Sequence, residues 1–296
     1  MNEQSMLEVA KEVMGITGYQ QYVPDTWDRK IRGFFGAPLV VIVDLWNRIG
    51  QVKRQTLEAK PKHLLWALVF LHVYSTEEIH CRIVGAKDPK LYREWTWFMI
   101  DQIAKLKEQI IRLDRRFENA SHESTCLLTV DGTDCPVMEP WPFDSKWYSK
   151  KFNGPAVKYE VGVSIFNGFI CWVNGPFCAS TNDATIFKDG LAHHLCSDEG
   201  VEADSGYKGH DALKTPTVAT DRRARKQKSV ARGYHEIVNG SLKVYNVLNA
   251  PFHHMNPRNK MMEKHGNCFA AVSVVTQLKF EHCGIPFKVN YDVNYE

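Results

Sequence analysis

Leu127-Leu128-Thr129-Val130-Asp131 decides how the second half of this chain is read. Apolar and β-branched residues run unbroken into an acid, a buried strand that delivers a carboxylate. Around it, from about residue 124, the pattern is one of short strands. Further runs lie at 157–166 and 169–173, joined by Asn167-Gly168, a strong hairpin signal. A helix is expected at about 183–195, strands at 201–204 and 217–220, then helices at about 229–248 and 260–280. Three meandering strands followed by alternating helices and strands make a mixed α/β sheet. Such sheets gather functional groups at the carboxyl ends of their strands, where this reading puts both Asp131 and Asp204.

Residues 1 to about 120 read as helical. Leu39, Ile42, Val43 and Trp46 recur at helical spacing, as do Leu64, Leu65, Leu68 and Leu71. The apolar stretches 34–46 and 63–74 are too short to span a bilayer and are expected as buried helices. Ser75-x-x-Glu78 fits a capping box, Gly85 ends the short helix that follows, and Asp88-Pro89 opens the next one. Two helices joined by a tight turn with Gly, over about 75–105, have the layout of a helix-turn-helix, with Lys90 and Arg93 where DNA contacts would fall. A plain helical corner has the same pattern. The domains are therefore expected at 1–120 and 121–296.

The totals narrow the function classes. With 296 residues, 44% hydrophobic and 24% charged, the chain suits one large or two moderate domains. The net charge of +3 excludes a generic polycation, so nucleic-acid affinity must come from local patches. Eight scattered cysteines with no Cys-x2-Cys pair and a polar N-terminus point to reduced thiols inside a cell. The spacing of His265, Cys268, His282 and Cys283 matches no common zinc finger. No phosphate-cradling Gly-rich loop is present.

Three acids carry the chemistry. Asp131 and Asp204 end strands, and Glu236 sits on a helix in the pattern Arg232-x3-Glu236-x6-Lys243. At 100° per residue these three fall within about 40° of one another, with Asn239 on the same side. Taken alone, that stripe is equally a salt-bridged solvent face. Gly240 costs helix stability, a cost that close approach to the sheet or to DNA would explain. Three carboxylates can hold a pair of divalent ions, the usual route to breaking a phosphodiester bond. Asp183 is an accessory carboxylate or the N-cap of its helix. Asp134, three residues after Asp131, falls on the opposite face of an extended segment and is set aside. The run Asp221-Arg222-Arg223-Ala224-Arg225-Lys226-Gln227-Lys228 is a phosphate contact, an import signal or a solvated loop. Trp141, Trp147 and Tyr148 are core aromatics or base-stacking groups.

In combination these motifs resemble the DDE transposase superfamily, with its ribonuclease-H-like core. Its second Asp often precedes Gly-Tyr, as Asp204 precedes Ser205-Gly206-Tyr207, and 31 residues separate Asp204 from Glu236. Arg232, Glu236 and Lys243 match the last three positions of a Tyr-Arg-Glu-Lys helix, with Ser229 where Tyr stands in the family. Ala179-Ser180-Thr181-Asn182-Asp183-Ala184-Thr185-Ile186-Phe187 and Trp147-Tyr148-Ser149-Lys150-Lys151 are similar to stretches of Harbinger-type endonucleases, with Asn182 in place of His. The resemblance covers about residues 125–280. It implies a ribonuclease-H-like mixed sheet flanked by helices and preceded by an all-helical region. It implies Mg²⁺ or Mn²⁺ held by Asp131, Asp204 and Glu236, with Arg232, Lys243, Asn239 and Asp183 in support. DNA would be the partner, gripped by Lys90, Arg93, Arg222, Arg223, Arg225 and Lys226. A homodimer or a separate DNA-binding partner protein would complete the assembly, with no membrane involved and, in a eukaryote, in the nucleus. The implied activity is DNA cleavage and strand transfer. The alternatives are a domesticated, catalytically silent DNA-binding or interaction protein, and a ribonuclease-H-like nuclease acting on RNA.

Overall fold

The computed structural model describes residues 1–16, 24–215, 232–254 and 260–286. The chain divides into two compact units. The first comprises Met1–Ile110, Leu242–Ala250 and Asn267–Gly284; the second comprises Ile111–Ser241, Pro251–Gly266 and Ile285–Glu296.

The first unit is helical apart from a two-residue hairpin, β1 (Lys53–Arg54) with β2 (Leu57–Glu58). Its helices are α1 (Glu3–Val13), α2 (Pro24–Phe35), α3 (Leu39–Ile49), α4 (Pro61–Val73), α5 (Glu77–Ile83), α6 (Pro89–Lys105) and α7 (Lys107–Ile110). The apolar run 34–46 divides into α2 and α3 because Gly36 takes φ +77° and Pro38 has no amide hydrogen to continue a ladder. In α4 every residue from His63 to Leu71 is buried, as expected of a helix that is apolar all round. The cap of α5 is Thr76, one residue beyond the Ser75 expected; its Oγ1 accepts from the Ile79 amide. Asp88 caps α6 as expected, accepting from the Lys90 and Leu91 amides, with Pro89 at the first helical position.

The second unit is built on a six-stranded mixed sheet. Its strands are β3 (Cys126–Pro136), β4 (Tyr148–Ser149), β5 (Gly154–Ser164), β6 (Ile170–Cys178), β7 (Gly200–Ala203) and β8 (Leu213–Lys214). β3, β5 and β6 form an antiparallel meander, with β4 also on β5; β7 and β8 then add in parallel on the other side of β3. A three-stranded meander extended by parallel strands is the ribonuclease-H-like arrangement expected from the sequence. The Asn167-Gly168 turn is present, with Gly168 at φ +67° and the Asn167 side chain accepting from the Phe169 amide. It lies in a longer loop between Ser164 and Ile170 than a two-residue hairpin has. The strand expected at 217–220 lies outside the described residues.

Three helices belong wholly or partly to this unit: α8 (Asp183–Asp189), α9 (Gly233–Lys243) and the first turn of α11 (Met261–Cys283). A one-turn α10 (Asn246–Asn249) follows α9 and belongs to the first unit. The helix expected over 183–195 breaks at Gly190 into α8 and a 3-10 turn, Leu191–His194. A Cβ at Gly190 would lie 2.5 Å from the Asn174 side-chain nitrogen and 3.0 Å from the Ile186 carbonyl oxygen, so a side chain there would displace Asn174 of β6. The helix expected over 229–248 splits into α9 and α10, and its start at Ser229 lies outside the described residues. No described atom lies within 4 Å of a Cβ built on Gly240, so close approach to the sheet does not account for that residue. One face of the sheet presents Leu128, Val130, Val201 and Ala203 to Phe187 of α8, Leu191 and Tyr207. On the other face the buried His235 of α9 lies 3.1 Å from Thr129 of β3, ring nitrogen to hydroxyl.

Gly162 of β5 lies opposite Trp172 of β6, and a Cβ there would fall 2.8 Å from the Trp172 Cβ. Gly162→Ala is therefore expected to lower stability by about 1–3 kcal/mol through overpacking. Urea denaturation measures it, and an unchanged midpoint would contradict the close packing.

Candidate active site

Asp131 does not end its strand, as the apolar run suggested. The antiparallel ladder to β5 carries β3 on to Pro136. What ends at Val130 is the parallel ladder to β7, where Val130 is level with Ala203. The next residues of the two strands, Asp131 and Asp204, thus stand side by side. Strand alternation puts both on the face that carries Thr129.

Each carboxylate has its own surroundings. The Gly132 amide donates to Asp131 Oδ1 at 2.8 Å. Burial nevertheless pushes the Asp131 carboxyl above the usual range, against the pull of that amide, Lys151 and Arg232, and neighbouring Asp183 adds to the rise. Asp204 is more open, and its Oδ1 accepts from the Ser205 amide at 2.5 Å and the Ser205 hydroxyl at 3.1 Å. Arg232 lies 3.4 Å from the same oxygen. Asp183 is not the cap of α8; Asn182 is, accepting from the Ala184 amide. Relieved of capping, the Asp183 carboxylate pairs with Lys158 of β5 at 2.9 Å and lies over Gly132, where a Cβ would come within 2.8 Å of it.

These residues line one cavity of about 840 Å³. Asp131, Asp134, Asp183 and Asp204 contribute to it, with Lys150, Lys151 and Lys158. Asp134, set aside on strand alternation, belongs here after all: the lining passes from Asp131 over Gly132, which has no side chain to block it. Asp134 itself is buried and accepts from the Ser149 hydroxyl at 2.6 Å.

Glu236 stands apart from this lining. It lies in the first turn of α9 with its side chain exposed. Its neighbour His235 is held on Thr129, two residues before Asp131, and burial drives that imidazole down to about 4, so it is neutral. Among the described residues no group of three or more His, Cys, Asp or Glu side chains is arranged to hold a metal ion. The donor set at Asp131 and Asp204 does suit a hard divalent cation, since Mg²⁺ takes oxygen ligands and needs only one or two carboxylates beside water and phosphate.

The family model for the DDE superfamily endonucleases matches residues 130–277, half of the chain. The chain belongs to this family. No curated protein and no solved structure matches it. The match begins at the residue before Asp131 and takes in the rest of β3, the later strands of the sheet, α8 and α9.

The remaining residues singled out by sequence fall in several places. Arg232 precedes α9 and reaches Asp204 rather than Glu236. Lys243 donates to the Leu248 carbonyl at 2.8 Å, closing the end of α10. Asn239 is half-buried on α9. In the first unit Lys90 is exposed and Arg93 pairs with Glu77 of α5 at 3.0 Å, tying α6 to α5. Arg222, Arg223, Arg225 and Lys226 lie outside the described residues. Lys158 was missed: it looks like an ordinary strand lysine, and only the register Asp134↔Lys158 brings it to the cavity.

Glu160 of β5 pairs across the strands with Gly132 and is almost wholly buried. Trp172 Nε1 donates to its Oε1 at 2.9 Å, yet burial, aided by Asp183, pushes its carboxyl up to about 7. The folded state thus holds a proton that the unfolded chain releases near 4.5. This group favours folding below that value and loses its contribution as pH rises through about 7. Across that window wild type is expected to lose roughly 3 kcal/mol that Glu160→Gln does not. Urea midpoints of both proteins from acid to neutral pH decide it; parallel pH profiles would refute the assignment.

Proposed function

We propose that this chain is a metal-dependent DNA endonuclease of transposase type, cleaving phosphodiester bonds and transferring the freed strand end. The observation that carries the reading is the level pair Asp131 and Asp204 at the end of the parallel ladder, inside the family match. Asp131 and Asp204 would hold Mg²⁺ or Mn²⁺, with Glu236 as a third ligand reached from α9. When bound, such an ion supplies an activated water and neutralises charge on the phosphate. The protein's own groups do the positioning. The amides of Gly132 and Ser205 orient the two carboxylates. Lys151 attracts the phosphate beside Asp131. Lys158 holds Asp183 in place and partly offsets the negative charge that Asp183 brings beside Asp131. Arg232 steadies Asp204 before DNA arrives and then turns to phosphate. Asn239 and Lys243 support α9.

DNA gripping is assigned to Lys90, Arg93 and the basic run containing Arg222, Arg223, Arg225 and Lys226. Joining two element ends calls for a homodimer or a separate DNA-binding partner. No helix among the described residues is long and apolar enough to cross a membrane; we assign the nucleus as the site of action in a eukaryotic cell.

One observation favours a second reading, a catalytically silent DNA-binding descendant: Glu236 is exposed and does not line the acid-bearing cavity. Supercoiled-plasmid nicking with Mg²⁺, Mn²⁺ or EDTA separates the two. The endonuclease reading expects nicking with either metal, reduced to the EDTA level by Asp131→Asn and by Asp204→Asn, while DNA binding in EDTA survives. DNA binding without nicking in wild type would establish the silent reading.

A further inference from the structure

The segment between β3 and β5 exposes an unusual amount of aromatic surface. Trp141 is 77% exposed, Phe143 55% and Phe152 42%, and Tyr148 is also exposed. Aromatic rings of this size are ordinarily buried, and a contiguous exposed group marks a binding surface. These rings alternate with Lys146, Lys150 and Lys151, all exposed. Phe143, Tyr148, Lys150 and Lys151 also line the cavity that holds Asp131 and Asp204.

The segment is held in shape by its own hydrogen bonds. Asp144 caps the 3-10 turn Ser145–Trp147 by accepting from the Lys146 amide at 3.0 Å. The Lys146 carbonyl accepts from the Ser180 amide at 3.0 Å, fastening the turn to the loop that leads into α8. Tyr148 and Ser149 pair with Pro155 and Gly154 of β5. The buried Ser149 hydroxyl donates to Asp134 and accepts from the Lys151 and Phe152 amides at 3.2 and 3.3 Å. Tyr148, Phe152 and the ammonium groups of Lys146 and Lys151 are thus displayed from a fixed base, and Phe143 and Tyr148 line the cavity beside the acids, with Trp141 two residues before Phe143.

Rings that offer flat faces, interleaved with cations, fit a polyanionic strand whose bases are unstacked. Base–aromatic stacking contributes about 1–3 kcal/mol per base, while lysines meet the phosphates. Bases inside a duplex are already stacked and present no open face. We propose that Trp141, Phe143 and Tyr148 stack on unpaired DNA bases next to the phosphate held at Asp131 and Asp204, so that the protein selects DNA that is melted or frayed there. This rests on the nuclease reading for the identity of the phosphate, but stacking itself needs no cleavage.

The test uses the full chain in EDTA with fluorescein-labelled 30-nucleotide DNAs of one mixed sequence: single strand, duplex, and duplex with a central four-base mismatch bubble. Wild type is expected to bind the single strand and the bubble more tightly than the duplex. Trp141→Ala with Phe143→Ala should weaken binding to both by about 10-fold or more, with little change on duplex. Phe143→Tyr should retain binding, and DNA should quench tryptophan fluorescence less in Trp141→Phe than in wild type. Equal affinity of wild type for duplex and bubble overturns the proposal. So does full bubble affinity in the double-alanine variant, or a loss on all three DNAs with unchanged quenching in Trp141→Phe. An RNA of the same sequence binding tenfold more tightly overturns the choice of DNA. Aromatic-dependent bubble binding by a protein that never nicks would retire the nuclease reading and leave the platform standing; nicking with aromatic-independent binding would do the reverse.

Discussion

The parallel ladder between β3 and β7 stops at Val130 and Ala203, and the residue after each is an aspartate. Everything at the site follows from that register. Side chains alternate along a strand, so a slip of one residue would turn Asp131 or Asp204 towards the packed face. The register is fixed from behind by Leu128, Val130, Val201 and Ala203 against Phe187 and Leu191. Hydrophobic packing on one face therefore sets the electrostatics of the other. Two carboxylates brought level repel each other, and the structure answers with Arg232 beside Asp204 and Lys151 acting on Asp131.

Glycine does much of the shaping. Gly132 lets the Asp183 carboxylate lie over the central strand, and it opens the cavity towards Asp134. Gly190 lets the end of α8 approach β6. At Gly132 the constraint is proximity of another chain segment rather than a special backbone angle. The same part of the sheet buries a carboxyl that it keeps neutral. Glu160, paired with Gly132, remains protonated up to about 7 because burial disfavours its ionised form and the nearby Asp183 charge adds to that, against the hydrogen bond from Trp172.

The acidic centre and the aromatic segment form one connected surface. Asp134 is the joint: its carboxylate holds the Ser149 hydroxyl, and that hydroxyl organises the turn bearing Lys151 and Phe152. A residue with no metal-binding assignment thus links the strand that carries Asp131 to the segment that would meet DNA.

Local chemistry was enough to read several elements. Asp88-Pro89 opens α6 because a carboxylate accepts the first orphan amides and proline needs no donor there. The unbroken apolar residues of α4 mark a helix buried on all sides, and the runs at 127–130 and 201–204 mark strands that deliver acids. The family pattern around Asp131, Asp204, Asn182 and Arg232 was legible for the same reason: its motifs are short and contiguous. Contacts between distant segments were not legible. Asn182 rather than Asp183 caps α8, and the Asp183 carboxylate pairs with Lys158 on another strand, a contact that neighbouring residues do not announce. Asp134 joins the cavity because Gly132 leaves space, and Glu236 falls outside its lining although its spacing matched. The sequence by itself determined which residues form strands and helices and which carry charge, since those depend on neighbours within a few positions. Only the tertiary structure decided which charges meet, because that depends on register between strands tens of residues apart.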